Sequence, residues 1–173
     1  QLVPVFIDRL EKTFTLPILG KEDRERQSEL QGLICGVLQM LTNRLDAKIS
    51  PYSDRMMILY LRVFDLRGTS SVHEEALLAV GALISALQGE FEKYMKDFQQ
   101  YLLAALQNWQ EKQVCSIAVG ITSDLARALG KKFALYSDQI VYLLLQNLRV
   151  RSFINSTEWK HKNTYPKFDR MRT

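Results

Sequence analysis

His73-Glu74 opens like the His-Glu-x-x-His motif of zinc proteases, which needs two imidazoles one helical turn apart on one face. Leu77 stands where the second histidine would have to be, and His161 is the only other histidine. His73 is better read as an exposed turn or first-turn residue. Cys35 and Cys115 each lie in an apolar helical stretch with no nearby ligand to complete a metal set, and read as small buried hydrophobes in a reducing compartment. No Gly-x-Ser-x-Gly elbow and no phosphate-cradling glycine loop is present. Acidic residues are plentiful, but none sits in a spacing that forces a catalytic pair. We therefore expect no enzyme, no cofactor and no metal. Asn155-Ser156-Thr157 matches a glycosylation sequon, which is idle in a protein that is never secreted.

Composition narrows the classes further. Hydrophobic residues make up 47% of the 173 and charged residues 24%, enough for a buried core under a polar surface. The longest uncharged apolar run, Ala76 to Leu87, falls far short of the ~20 residues that span a bilayer. No secretory signal is expected, because no basic start precedes an apolar stretch and a cleavage site. Residues 151–173 hold six basic and two acidic side chains, and so carry the whole net charge of +4. Phe153, Trp159, Tyr165 and Phe168 interleave with those cations, as in some single-strand binders. Short basic tails of this kind are more often solvated or disordered, so nucleic acid is not the expected partner.

The positioning elements show themselves by repetition. Tyr52-Ser53-Asp54 returns as Tyr136-Ser137-Asp138, and an apolar helical run follows each time. A related segment, Phe98 to Leu106, sits between them, so the unit is roughly 40 residues, the period of paired-helix solenoids. Each unit reads as an A helix, a turn and a B helix. The A helices are expected over about 2–16, 51–68, 91–109 and 137–149. The B helices are expected over about 23–44, 70–89 and 111–129. Ser70 or Ser71 is the expected cap of the second B helix, with Glu74 and Glu75 in its first turn, and Gly130 the stop of the third. Phe98, Leu102, Ala105, Leu106 and Trp109 form a stripe at helical spacing, mirrored 42 residues earlier by Met56, Tyr60, Val63 and Phe64, with Arg67 at the fifth place. Gly36, Gly81 and Gly120 recur inside the B helices at a cost of roughly 1 kcal/mol each against alanine, which points to close helix approach or to a direct ligand contact. After Val150 the stripe stops. The incomplete fourth unit should leave part of the apolar face between Ile140 and Leu148 uncovered.

Several words in this chain resemble the importin-beta family of nuclear transport receptors. They are His73-Glu74-Glu75-Ala76-Leu77-Leu78-Ala79-Val80-Gly81, Leu87-Gln88-Gly89-Glu90-Phe91-Glu92-Lys93-Tyr94-Met95 and Gln113-Val114-Cys115-Ser116-Ile117-Ala118-Val119-Gly120. Asp124-Leu125-Ala126-Arg127-Ala128-Leu129 and Leu143-Leu144-Leu145-Gln146-Asn147-Leu148 continue the likeness, which spans about residues 1–150. It implies an all-α solenoid of about three and a half HEAT repeats in a right-handed superhelical stack, cut from the C-terminal half of a longer superhelix. The units fall at about 1–46, 47–89, 90–130 and an incomplete 131–150, with 151–173 an atypical, disordered basic tail. The resemblance further implies binding of the importin-alpha adaptor or cargo on the concave face and of Phe-Gly nucleoporins on the convex A layer. Ran-GTP acts in the family mainly through repeats absent here. The implied location is cytoplasm, nucleus and nuclear pore. Two alternatives are a generic HEAT scaffold in a multiprotein complex and a truncated product without transport activity of its own.

Stacking indicates where partners would meet the chain. Met57, Ile58, Leu61 and Leu103 are apolar but lie off the A-helix stripe, and are expected to line the seam between the second and third A helices. There they either receive a Phe ring or simply pack neighbouring A helices together. On the B layer Glu74, Glu75, Glu111 and Asp124 are expected to offer carboxylates to a basic segment, or to form a solvated polar face.

Overall fold

The computed structural model describes residues 2–66, 70–108 and 110–162. Seven α-helices follow one another: α1 (Leu2–Thr13), α2 (Lys21–Leu45), α3 (Ser50–Phe64), α4 (Ser70–Leu87), α5 (Met95–Gln107), α6 (Lys112–Leu129) and α7 (Ser137–Lys162). No strand occurs among the described residues. The odd-numbered helices form one layer and the even-numbered helices the other, with α1 on α2, α3 on α4 and α5 on α6 as pairs. Helices α2, α4 and α6 pack against one another closely, whereas α1, α3, α5 and α7 meet their layer neighbours over fewer positions. The even layer is therefore the inner side of the curve, and the odd layer is splayed on the outside.

The anticipated stripes are the core. Met56, Tyr60 and Val63 of α3 and Phe98, Leu102 and Leu106 of α5 are fully buried, and Phe64 is half-buried. Arg67 and Trp109, the last positions of those stripes, lie outside the described residues, as do residues 163–173. Phe64 lies 6.2 Å from Phe98 and 5.3 Å from Tyr101, so aromatic contacts bind the second unit to the third. One core runs unbroken from Val3 to Ile140. In such stacks stability comes from each interface with the next unit.

Each even helix ends on a residue with positive φ: Asp46 (49°), Gln88 (52°) and Gly130 (55°). The positions are 42 residues apart, closer to HEAT units than to the 34 residues of a tetratricopeptide repeat. A 3-10 turn then leads into the next odd helix: Asp46–Ile49, Gln88–Tyr94 or Gly130–Leu135. The Gly130 stop is as expected, and its N–H bonds Ala126 O. The other two ends use residues that strain to adopt this conformation. Asp46→Gly should therefore raise stability by about 1 kcal/mol, read as a higher urea midpoint at unchanged slope. A lower midpoint would show that the Asp46 side chain stabilises the turn.

Three local expectations are corrected. Helix α4 already includes Ser70 and Ser71, so neither is its N-cap, and Glu74 and Glu75 lie beyond its first turn. His73 is not an exposed turn residue. It is half-buried, with Nε2 3.1 Å from Val63 O and its ring edge-on to Phe64 at 6.0 Å. Helix α7 does not stop near Arg149 but continues to Lys162, so the tail is helical over 151–162. Those residues contain no Gly or Pro, and backbone hydrogen bonding can continue without an apolar stripe.

Candidate partner-binding surfaces

On the outer layer, the seam between α3 and α5 is closed. Lys93 Nζ donates to Asp54 Oδ1 at 2.8 Å and Tyr94 donates to the same oxygen at 2.6 Å. Both bonds hold the Asp54 carboxyl below its ordinary range. Further along, Tyr101 donates to Asp65 at 2.7 Å, and that bond pushes the phenol up to about 12. Phe64 and Tyr101 fill the space between.

This corrects the expected Phe-Gly seam. Met57 is 1% exposed and belongs to the core, so no ligand ring reaches it. Leu61 is half-buried against the same core, while Ile58 is 58% exposed. The four residues do not form one pocket.

The open seam is the next one. Between α5 and the start of α7 lies a cavity of about 500 Å³. Leu103, Leu135 and Tyr136 supply its apolar surface, and Lys96, Gln99, Gln100, Asp138 and Gln139 its polar rim. Asn147 Nδ2 donates to Leu106 O at 2.9 Å across the same pair of helices. Leu103 is thus the one predicted seam residue that lines this opening. Leu135 and Tyr136 were missed because Leu135 ends a 3-10 turn and Tyr136 follows it before α7, where no helical period marks them.

On the inner layer, a groove of about 570 Å³ runs between α2 and α4. Leu33, Val37 and Met40 line its apolar side and Glu29, Glu74 and Glu75 its acidic side. Leu33 and Met40 are 65% and 71% exposed. They lie off the core stripe of α2 at helical spacing from Val37, and that was the signal available in sequence. Desolvation and the nearby carboxylates of Glu111 and Glu75 raise the Glu74 carboxyl above its ordinary range. Of the four predicted acids, Glu74 and Glu75 line this groove, and Glu111 lies outside its lining but close enough to act on Glu74. Asp124 does not join them. It lines a separate hollow of about 320 Å³, with its carboxylate 3.5 Å from Arg127.

The recurring glycines divide in the same way. A methyl group on Gly36 would lie 3.3 Å from Glu75 Oε2, a tight fit that supports close approach. On Gly81 it would make an ordinary contact with Ile121 at 3.7 Å, and on Gly120 it would meet nothing within 4 Å. Both Gly81 and Gly120 line the Asp124 hollow, so their small size opens the concave surface rather than admitting a neighbouring helix.

Cys35 is buried, and burial above all pushes its thiol up to about 12. Cys115 is only half-buried, with Asn147 Nδ2 3.4 Å from its Sγ. Among the described residues no group of His, Cys, Asp and Glu could hold a metal ion, and no helix is long and apolar enough to cross a membrane.

A family profile described as importin subunit beta-1-like, TPR repeats, matches residues 1–159. This chain belongs to the importin beta family. It is 45% identical over 153 residues to importin subunit beta-1 of Arabidopsis thaliana, and 39% identical over 152 residues to that of Schizosaccharomyces pombe. Each alignment covers 86% of this chain and 18% of the relative. The chain thus spans less than a fifth of the length of these importins. A crystal structure of importin beta in an ammonium sulfate condition superposes with a TM-score of 0.82 at 39% identity, covering 86% of this chain and 18% of that one. A Kap95:Nup1 complex superposes with a TM-score of 0.76 at 29% identity, covering 85% and 17%. Importin beta proteins are transport receptors rather than enzymes, and this segment of the family's α-solenoid is not an enzyme.

Proposed function

We propose that this chain is a protein-binding segment of a nuclear import receptor. Its outer layer takes Phe-Gly nucleoporin segments, and its inner layer takes the importin-alpha adaptor or a basic stretch of cargo. The observation that carries the first half is the open α5–α7 seam, where three apolar side chains face a cavity able to hold a phenyl ring. The likeness to the Kap95 of a Kap95:Nup1 complex supports it. A ring entering this seam leaves water for contact with Leu103, Leu135 and Tyr136, and the polar rim hydrogen-bonds the peptide backbone beside it. Such contacts are shallow and individually weak, which suits a receptor that must release each repeat quickly. The chain would work in cytoplasm, nucleus and pore, with Ran-GTP engaging mainly other repeats of the receptor.

The test is fluorescence anisotropy with a labelled Phe-Gly peptide. Leu103→Glu should weaken binding at least about tenfold, the loss of roughly 1.4 kcal/mol, with an unchanged circular dichroism spectrum. A folded Leu103→Glu chain that binds as well as the original would place the peptide elsewhere. No binding by the original chain would leave a helical scaffold without this role.

The second half rests on the inner groove, where an apolar strip lies beside gathered carboxylates. That pairing fits a helix with one apolar and one basic face. Its test is argued in the Discussion.

A further inference from the structure

The inner groove and one segment of this same chain are complementary. The groove sets Leu33, Val37 and Met40 beside Glu29, Glu74 and Glu75, and Leu33 and Met40 are largely exposed. The whole net charge of +4 lies in residues 151–173, and the rest of the chain is balanced. Within 163–173, Lys167, Arg170 and Arg172 stand against Asp169 alone and interleave with Tyr165, Phe168 and Met171. Cations mixed with apolar side chains are what an apolar strip beside carboxylates accepts. Topology puts the two within reach. Helix α3 ends at Phe64 and its antiparallel partner α4 begins at Ser70, so the end of an odd helix and the start of an even one share an edge of the stack. Glu74 and Glu75 lie near the start of α4, close to that edge. Helix α7 runs in the same sense as α3 and leaves the stack there. It has 26 residues where α5 has 13, so it overhangs the edge by about 20 Å. The groove lies two helix spacings back along the stack, also about 20 Å. The 11 residues after Lys162 extend to ~36 Å, enough to return to it.

We propose that residues 163–173 fold back into the α2–α4 groove and occupy it, so that the chain competes with its own inner-layer partner. The inference rests on the reading of that groove as a site for a basic segment, and adds what fills it in the free chain. Lys167, Arg170 and Arg172 meet the carboxylates of Glu29, Glu74 and Glu75, and Phe168 and Met171 meet the apolar strip. Each contact is weak, since the groove is open to water. Tethering offsets this weakness. It holds the segment at an effective concentration of about 1 mM, and a dissociation constant of only ~0.25 mM then fills the groove about four-fifths of the time. An incoming basic segment finds the site free for the remaining fifth, and its apparent affinity falls by that factor. Only a partner with more charge or more apolar surface than residues 163–173 displaces them, so the segment acts as a threshold against weak basic peptides.

The experiment is fluorescence anisotropy of a labelled synthetic helix, with lysines on one face and leucines on the other, titrated with the full chain. A chain carrying Lys167→Gln, Arg170→Gln and Arg172→Gln should bind this probe about fivefold more tightly than the original. In a Glu74→Lys, Glu75→Lys background the same three substitutions should change affinity by less than about twofold. An equal gain in that background traces the effect to net charge and overturns the proposal. Equal affinity of the original and neutralised chains also overturns it, and leaves the groove as a partner site that this segment does not fill. No binding by either chain removes the inner-groove reading, and this proposal with it. A gain that grows with protein concentration, with dimers in sedimentation equilibrium, gives the groove to the segment of a second copy and overturns closure within one chain.

Discussion

Met57→Asp should cost the chain about 4 kcal/mol or more, whereas Ile58→Asp next to it should cost less than about 1 kcal/mol. The two residues are neighbours on α3 and similar in hydrophobicity. Met57 is 1% exposed, within the core that joins the second unit to its neighbours, and Ile58 is 58% exposed. Aspartate at 57 loses the roughly 1.5–3 kcal/mol of burying methionine and places a carboxyl in the apolar core. The carboxyl must take up a proton or drag water into the seam. For a small domain with about 5–15 kcal/mol in total, that change removes much of the margin. Urea unfolding followed by circular dichroism measures both variants. Equal midpoints would show that Met57 is not sealed, and would reopen the α3–α5 seam as a ligand site.

Reversing charge at the inner groove should have the largest effect on binding. A Glu74→Lys, Glu75→Lys chain should bind a basic amphipathic peptide at least about thirtyfold more weakly, a loss of roughly 2 kcal/mol. Each substitution removes an attraction and adds a repulsion, so the association rate should fall most and the loss should shrink in high salt. The Glu74 carboxyl adds a pH signature. Desolvation, Glu111 and Glu75 raise it above its ordinary range in the free protein. A bound cation draws it back down, so binding releases protons and should strengthen as pH rises through that raised range. Calorimetry in buffers of different ionisation enthalpy reads the released protons. Unchanged affinity in the folded double variant would reduce the three carboxylates to a solvated face.

Much of the architecture was legible before any coordinate. The stripe Phe98, Leu102, Ala105, Leu106 is buried as its period implied, and the Gly130 stop falls where a glycine after a helix belongs. Exposure of Val141, Tyr142, Leu145 and Leu148 matches the apolar face expected to be left uncovered on α7. Less was legible in the candidate sites. Apolar residues off the main stripe were assigned to one seam, yet Met57 is core, Ile58 is exposed and Leu103 lines the following seam. Asp124 shares a layer with Glu74 but lies in another hollow, beside Arg127. A glycine recurs in each even helix, yet only Gly36 shows the close approach that their repetition suggested.

Local patterns in the chain suffice to show a stack of helix pairs and which layer each helix joins. Those properties depend on residues three or four positions apart and on local breakers, so a short window contains them. The tertiary structure alone decided which seam is open. Lys93 and Tyr94 close on Asp54 from about 40 residues away, and Tyr101 does so on Asp65, whereas Leu103, Leu135 and Tyr136 leave a gap at the next junction. Whether such partners meet depends on the rise and tilt between units, to which packing throughout both layers contributes.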